Sequence, residues 1–570
     1  MPRALVLGVT SVFMTVASLR ATAAETNLPN PSAPIPRLTA PANADEPAVV
    51  AAKVDEILRM EVPASQPTAK AIVSDELYLR RATLDIVGRL PNPEEISAFV
   101  LDPAEGKRAK VVEKLVADER FGTNWGRYWR DVIMYRKTEE RGQIIAGPLL
   151  TYLQTELNAN SPWSKIATEV ITASGDALEN GACGLIVAQQ GMPEDVTAEV
   201  SRIFLGVQIS CAQCHDHPTD RWKREQFHQM AAFFPRISSR IIFMQEERKF
   251  AVTVSVNDNP FMRGRGMFNN MRFRGTPEHF MSDLKNPQSR GTLMEPVLFA
   301  TGERLSLGTR DADRRGTLAQ WITAKDNPFF AKAFVNRMWS ELVGEGFYEP
   351  VDDIGPDRQA NAPQTLEYLA SQFAASGYDV KWLFATILAT KAYQMPSASR
   401  RGPEDPPFQA SVAQRLRADV IYDIVLAALG VRDQPFQPGA GMAGGGMGRF
   451  RGGGRGIFAN VFGYDPSERR EEIQTSIPQA LALMNSQNVN AAIRAGGFGF
   501  AQSSLSRLVR DIDDNQELIG EIYLRTLARQ PSREEVKTCL AYINHAASRG
   551  EAFEDIQWSL INSTEFLHRN

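Results

Sequence analysis

The sequence is poor in cysteine, with four cysteines among 570 residues. Four thiols cannot form the dense disulfide framework that stabilises small secreted domains. The chain must therefore fold around ordinary hydrophobic cores, and 43% hydrophobic residues are enough for that. Cys183 and Cys539 lie far apart, and the sequence leaves open whether they are buried or paired.

Long hydrophobic runs are also scarce. The run Ala4–Leu19 is shorter than the roughly 18–20 residues of a membrane span, and Arg20 closes it. With Arg3 ahead of it and the small residues Ala21–Ala24 behind, it predicts a secretory signal peptide over residues 1–24. No later stretch reaches spanning length, so we expect no transmembrane segment in the mature chain. The predicted location is the periplasm or cell envelope.

A strong charge of either sign is missing, since the formal net charge is −4. A weakly acidic chain has no global attraction to nucleic acid, so we expect no nucleic-acid partner. Arg449, Arg451 and Arg455 lie among glycines, as in some nucleic-acid-binding segments. In an exported acidic protein, a surface loop that can contact envelope polysaccharide is the favoured interpretation.

Three established catalytic motifs are absent: there is no P-loop, G-x-S-x-G or H-E-x-x-H. Asp352 and Asp353 are adjacent and could form a carboxylate pair for acid–base work or cation binding. Such a pair more often caps or solvates a loop. Catalytic residues are therefore unknown, and the sequence does not decide whether the protein is an enzyme.

Hydrophobic periodicity predicts a mainly α fold of two multihelical domains with a small β-rich insertion between them. The predicted parts are a linker over residues 25–48, a helical domain over 49–235, the insertion over 236–310 and a helical domain over 311–570. Strands are expected near 250–256 and 292–300. Ten of the eighteen residues from Gly439 to Gly456 are glycine, which predicts a disordered loop over residues 439–456.

Several local patterns mark individual helices. Asn92, Pro93 and Glu95 form a capping-box signature at a helix start. Phe330 and Phe334 lie at helical spacing after Asn327-Pro328, while Leu518 to Leu527 and Ser476 to Val489 predict two later helices. Apolar residues from Val196 to Val207 follow one helix face and lead directly to Cys211, so we place that cysteine at a helix end or just beyond it.

One internal echo is visible. Arg89 to Glu95 follows Tyr78-Leu79-Arg80, and the similar stretch Arg529 to Glu535 follows Tyr523-Leu524-Arg525. Both stretches place an N-cap residue three positions before a glutamate. The simplest interpretation is two helix starts that are capped in the same way.

The main clue is a cluster of cysteine and histidine. Cys211, Cys214, His215, His217 and His228 fall within 18 residues and include half of the chain's cysteines and half of its histidines. Cys-x-x-Cys-His supplies two thiols for the vinyl groups of haem and one imidazole for its iron. The motif predicts covalent haem c on Cys211 and Cys214, with His215 as the proximal ligand.

Two alternatives remain open for this cluster. Zinc could be held by Cys211, Cys214 and two of the three histidines His215, His217 and His228. An oxidising compartment also permits a Cys211–Cys214 disulfide with no cofactor at all.

A haem at this position also raises the question of a sixth iron ligand. His217 lies two residues beyond His215, and two residues span at most roughly 7 Å, too little to pass around the macrocycle. Better candidates lie elsewhere: His228, Met192, Met230 and Met244. Four aromatic residues could line a haem pocket but more often form plain core: Trp222, Phe227, Phe233 and Phe234.

Leu79–Glu95 and Ile203–Phe234 resemble the cytochrome-c-like domain that is widespread in planctomycete bacteria. Asn327–Pro356 and Ser476–Asn485 resemble the domain of unknown function that habitually follows it. The resemblance implies two family domains, export and a haem-type motif at Cys211, Cys214 and His215, and it implies no particular activity. It extends over most of residues 50–235 and 311–568.

The leading hypothesis is an exported c-type haem protein for electron transfer or redox sensing, with an unknown redox partner. The alternative is an exported polysaccharide-binding or hydrolytic protein in which the cysteine–histidine cluster is a structural metal or disulfide site.

Overall fold

The computed structural model describes residues 35–62, 72–134, 140–244, 249–258, 276–398, 405–431, 453–468, 479, 483 and 504–569. Residues 1–24, most of the glycine-rich segment and nearly all of the helix predicted over Ser476–Val489 lie outside these ranges. Pro34–Asn570 forms one compact unit. The domain boundaries drawn from sequence remain a prediction.

Helices dominate the described residues, so the mainly α prediction is confirmed. Those of the first half are α1 Pro47–Glu61, α2 Asp75–Val87, α3 Pro93–Leu101, α4 Lys107–Ala117, α5 Arg120–Met134, α6 Glu140–Asn158, α7 Trp163–Thr172, α8 Gly184–Ala188, α9 Pro193–Leu205 and α10 Arg224–Ala231. Those of the second half are α11 Asp311–Ile322, α12 Phe330–Val343, α13 Pro363–Ala375, α14 Val380–Ala389, α15 Lys391–Gln394, α16 Ala418–Leu429, α17 Gly453–Phe462, α18 Ser504–Asp511, α19 Asn515–Leu527, α20 Arg533–Ile543, α21 Arg549–Ile561 and α22 Thr564–Leu567. Within the described ranges, no helix is both long enough and apolar enough to cross a bilayer.

Strands are short and form small sheets. They are β1 Gly175–Asp176, β2 Ile237–Met244, β3 Lys249–Val256, β4 Phe280–Met281, β5 Thr292–Leu293, β6 Ser397–Ala398, β7 Ser411–Val412, β8 Gln414–Arg415 and β9 His568–Arg569. The largest sheet is antiparallel with the order β1-β3-β2, and β4 pairs with β5. β6 and β7 pair in parallel, and β8 pairs with β9 in antiparallel fashion.

The strand expected over 250–256 is confirmed as β3. The strand expected over 292–300 is wrong beyond its first two residues. The backbone N–H of Val297 donates to the carbonyl of Gln229 in α10, at 3.2 Å, and Leu298 is bonded within its own turn. The apolar run is therefore buried against a helix, and it does not form a ladder with a neighbouring strand.

Helix starts follow the polar signals in the sequence. Asn92 Oδ1 accepts from the Glu95 N–H at 2.7 Å, and the Glu95 carboxylate accepts from the Asn92 N–H at 3.0 Å, so the capping box is present. α12 begins at Phe330, two residues after the Asn327-Pro328 start that the sequence predicts. The Asn327 side chain accepts from the N–H groups of Phe329 and Phe330, which satisfies donors that the helix leaves unpaired.

The echo seen in the sequence is a repeated helix–turn–helix. α2 and α19 are both thirteen residues long, and both end in the left-handed conformation, at Gly88 (φ 66°) and Ala528 (φ 57°). After each of these residues the chain enters a second helix through a capping box, at the start of α3 and of α20. The likeness therefore extends from one helix through the turn to the next, beyond the shared caps that the sequence suggests.

An arginine fork closes both turns. Arg89 donates to both oxygens of Glu95 at 2.7 and 2.8 Å, and Arg529 donates to both oxygens of Glu535 at 2.9 and 2.8 Å. Bidentate pairing of this kind holds the two side chains in a defined geometry and also neutralises their charges. Arg529 additionally donates to Glu565 at 2.6 and 2.7 Å, and this contact joins the second repeat to α22.

An aromatic core joins the first and second halves of the chain. Trp129 of α5 stacks on Phe334 of α12 with ring centroids 5.5 Å apart, and Trp163 of α7 lies 4.6 Å from the same ring. All three side chains are buried. Large aromatic side chains contribute much of the apolar area in such a core, so these two parts of the chain stabilise each other.

The end of the predicted glycine-rich loop departs from expectation, because residues 453–456 begin α17. The Arg455 guanidinium lies 4.6 Å from the Tyr422 ring centroid and pairs with Asp423 at 2.5 Å. These contacts hold the start of α17 against α16. The prediction of disorder is wrong for these four residues, while residues 439–452 lie outside the described ranges.

Candidate functional site

The cysteine motif follows a turn that only glycine fits. α9 ends at Gly206 in the left-handed conformation (φ 65°). A Cβ atom added there would lie 2.8 Å from Ile354 Cδ1 and 3.1 Å from Ala333 Cβ. The Ile354 N–H donates to the Gly206 carbonyl at 2.7 Å, so the turn is fixed to the segment that follows α12.

The motif itself lies on a short 3₁₀ helix, Ile209–Gln213. Ile209 and Ala212 are buried, whereas Cys211 and Cys214 are exposed and are free thiols. The apolar residues anchor the turn to the core while the thiols face solvent. The prediction that the motif lies just beyond a helix end is confirmed.

His215 is exposed, and its Nδ1 atom lies 2.7 Å from the carbonyl oxygen of Asp216. A carbonyl can only accept, so Nδ1 carries the proton and Nε2 carries the lone pair. Metal-ligating imidazoles are commonly oriented by such an Nδ1–H bond. His215 therefore has the tautomer that a proximal iron ligand needs.

His217 is arranged in the opposite way. Its Nδ1 accepts from the backbone N–H of Thr219 at 3.3 Å, so the neutral ring carries its proton on Nε2. Its own backbone N–H donates to the carbonyl of Trp222 at 2.8 Å. These bonds close the loop after the motif and suit a structural role for His217.

His228 lies beneath the motif and is 4% exposed. Its Nε2 is 3.1 Å from the carbonyl oxygen of Gln213, and its Nδ1 is 2.9 Å from Nε2 of His279. Because the carbonyl accepts, His228 donates from Nε2 and His279 donates to Nδ1. Burial lowers the pKa of both histidines to about 4, so both rings are neutral near neutral pH.

His279 is a residue that the sequence does not reveal. It lies 51 positions beyond His228, just before β4, and no local spacing links the two. Arg224 makes a second link to the same region, since its Nε donates to the Gln213 carbonyl at 3.2 Å and its Nη2 to the Ser282 carbonyl at 2.7 Å. The insertion thus supports the cysteine turn from below and from one side.

The two adjacent aspartates support the turn from the other side. Asp352 is completely buried, and its Oδ1 accepts from the Gln208 side chain at 2.7 Å. Its Oδ2 lies 3.2 Å from both Arg202 and Arg337. Asp353 pairs instead with Arg358, at 3.0 Å. Both carboxylates are held in ion pairs, so the acid–base interpretation of this pair has no structural support.

The other predicted site residues are spread over several elements. Met230 is buried in α10, Met192 precedes α9, and Met244 ends β2. Nearly complete burial places the four aromatic candidates in the core: Trp222, Phe227, Phe233 and Phe234.

The described residues contain no group of three or more His, Cys, Asp and Glu side chains arranged to hold a metal ion. Cys211, Cys214 and His215 share one turn, but the ring nitrogens of His228 are both engaged below it. The zinc alternative therefore stays an untested prediction.

Two family models match this chain. Residues 53–239 match the family described as a protein of unknown function, DUF1549 or PSCyt2, and residues 314–441 match the one described as DUF1553 or PSD1. The chain carries this planctomycete-type domain pair. The DUF1549 match includes the whole cysteine turn, and the DUF1553 match includes α12 and Asp352. The chain matches no curated protein and no solved structure.

Proposed function

We propose that this DUF1549–DUF1553 chain is an exported c-type haem protein that transfers electrons or senses redox state in the cell envelope. Cys211 and Cys214 would hold the haem covalently, and His215 would ligate its iron. The observation that carries the proposal is one exposed turn that presents two free thiols beside an imidazole with its Nε2 lone pair available.

The donor set fits covalent attachment. Each thiol would add across one vinyl double bond, with sulfur bonding to one carbon and the thiol hydrogen going to the other, so no oxidant would be consumed. The reaction needs reduced and accessible thiols, and both cysteines meet these conditions. Bound haem would supply one-electron redox chemistry at the protein surface.

The surrounding residues keep the turn in one shape. Ile209 and Ala212 fix its buried side, while His228 and Arg224 both donate to the Gln213 carbonyl between the two cysteines. A motif held on a rigid support keeps the geometry of its ligands.

The test is the visible absorption of protein purified from a host with the cytochrome c maturation machinery. We expect a haem spectrum in the wild type and its loss in the Cys211→Ser/Cys214→Ser double variant. His215→Ala should change the spin state of the iron or prevent maturation, and His217→Ala should have a milder effect.

The matched control is Cys183→Ala/Cys539→Ala, which removes the two buried thiols and should keep the colour. The proposal would be contradicted if folded wild-type protein from that host were colourless and contained either stoichiometric zinc or a Cys211–Cys214 disulfide.

A further inference from the structure

A cleft lies where the end of the chain meets its first repeat. Its cavity volume is about 40 Å³, and it is lined by residues of α2, α12, β8 and β9. Its base is the β8–β9 ladder, in which Gln414 pairs with Arg569 and Arg415 with His568. Trp125 and Tyr464 add aromatic faces to the lining.

Three arginines face this cleft: Arg415, Arg417 and Arg569. Arg569 is 2% exposed, and its Nε lies 2.9 Å from Asp85 Oδ2. Its Nη1 has no hydrogen-bond partner among the described residues. A buried guanidinium donor without an acceptor is costly, which makes the cleft a place where an added acceptor stabilises the fold.

Two further arginines lie close to the cleft. Arg80 and Arg81 of α2 lie near Asp85, and their guanidinium groups donate to backbone carbonyls, including those of Glu565 and Met395. A carbonyl satisfies a donor without neutralising its charge. Burial, followed by repulsion from Arg569, lowers the pKa of Arg81 to about 10.

Carboxylates also surround the cleft. Asp85 and Glu341 line the cleft, and Asp419 pairs with Arg417. Asp131 acts on Arg417 and Glu565 acts on Arg80, so the charges of the region are close to balanced, and it is the unpartnered Nη1 of Arg569 that marks the cleft.

We propose that this cleft binds a small oxyanion, the carboxylate, sulfate or phosphate group of a ligand, through Arg569 and its two arginine neighbours. Planar guanidinium forks match the geometry of such groups. A cavity of about 40 Å³ has room for a few water molecules, so it suits a single small group and not a polymer chain. The site does not depend on the haem proposal.

Calorimetric titration of the full chain tests the site. The titrants are inorganic phosphate, sulfate and acetate, and chloride keeps the ionic strength constant. We expect saturable binding of at least one oxyanion at one site per chain. Arg569→Lys keeps the charge but loses the fork, and should weaken binding about tenfold. Arg549→Lys is the matched control: Arg569 donates to the Leu342 carbonyl and Arg549 to the Ile512 carbonyl, but Arg549 lies outside the cleft.

A second titration uses glycerol phosphate. If it binds as well as inorganic phosphate, the natural ligand is an ester-linked phosphate group. If only the inorganic ion binds, the ligand is a free anion. Absence of saturable binding by folded wild-type protein overturns the proposal, and so does equal weakening in Arg549→Lys. If Arg569→Lys does not fold, Arg415→Lys takes its place with the same expected loss.

Discussion

Three histidines that lie close together in sequence have three different hydrogen-bonding states. His215 donates from Nδ1, His217 accepts at Nδ1, and His228 does both through its two nitrogens. These states follow from partners that the fold supplies, including His279 from the insertion. The roles of neighbouring histidines therefore cannot be read from their spacing alone.

Replacing His279 with alanine should weaken the support of the cysteine turn. The change removes the donor to His228 Nδ1 and leaves a buried acceptor unsatisfied, which costs about 1–3 kcal/mol. Urea unfolding measures this loss. His545→Ala is the control, because His545 is exposed, and it should change stability by less than about 0.5 kcal/mol. Equal effects of the two changes would show that the His228–His279 bond contributes nothing.

Asp352→Asn should be far more damaging than Asp353→Asn. The first change removes a charge that lies between Arg202 and Arg337, all fully or nearly fully buried, and should cost about 3–5 kcal/mol. The second affects a half-buried pair with Arg358 and should cost about 1 kcal/mol or less. Denaturant midpoints of the two variants decide the matter, and similar midpoints would contradict the structural role assigned to Asp352.

At the scale of elements, the repeated helix–turn–helix supplies its own control. Both copies have an arginine fork on a glutamate, but only the fork of Arg529 also holds Glu565. Arg529→Ala should therefore destabilise the protein by about 1–3 kcal/mol, and Arg89→Ala by about 1 kcal/mol or less. Thermal unfolding of the two variants gives the comparison, and a larger loss for Arg89→Ala would be inconsistent with these contacts.

The same pair predicts a dependence on pH. The Arg529 guanidinium lowers the pKa of Glu535 to about 2, from an ordinary 4.5. Stability from this pair is complete above pH 4.5 and is lost as the pH falls towards 2, because protonation ends the attraction. Over that window Arg529→Ala should lose less stability than the wild type. An identical acid profile in the two proteins would argue against the pair.

Much of this architecture could be predicted from sequence, because helix signals are local. Asn92 and Glu95 announce a capping box within four residues, and the apolar stripe of α9 leads correctly to Cys211. The sequence does not predict β2, because its Ser-Ser-Arg segment interrupts the alternation of apolar and polar residues. The strand forms because it pairs with β3. His279 could not be predicted as part of the site, because its partner lies 51 positions away.

At the scale of the whole molecule, the two family-matched segments share buried contacts. Trp129 and Trp163 pack on Phe334, and Arg202 of the first segment pairs with Asp352 of the second. Each segment alone would expose this aromatic surface and leave Arg202 without its acidic partner from the other segment. Interfaces of this kind couple the folding of the parts that form them.

Calorimetry should therefore show the two segments unfolding in one transition. Phe334→Ala, which removes an aromatic side chain from the shared core, should lower the temperature of that whole transition, by a loss of about 3–5 kcal/mol. Two separate transitions, only one of which moves in Phe334→Ala, would mean that the segments fold independently.

The central claim is covalent haem on Cys211 and Cys214, and the intact mass of the denatured protein tests it most directly. Protein from a maturation-competent host is extracted with acid acetone, which removes non-covalent haem, and is then weighed by mass spectrometry. We predict the polypeptide mass plus one haem, and the bare polypeptide mass for Cys211→Ser/Cys214→Ser. A wild-type protein with the bare polypeptide mass, or with that mass less two hydrogens from a Cys211–Cys214 disulfide, would contradict the account.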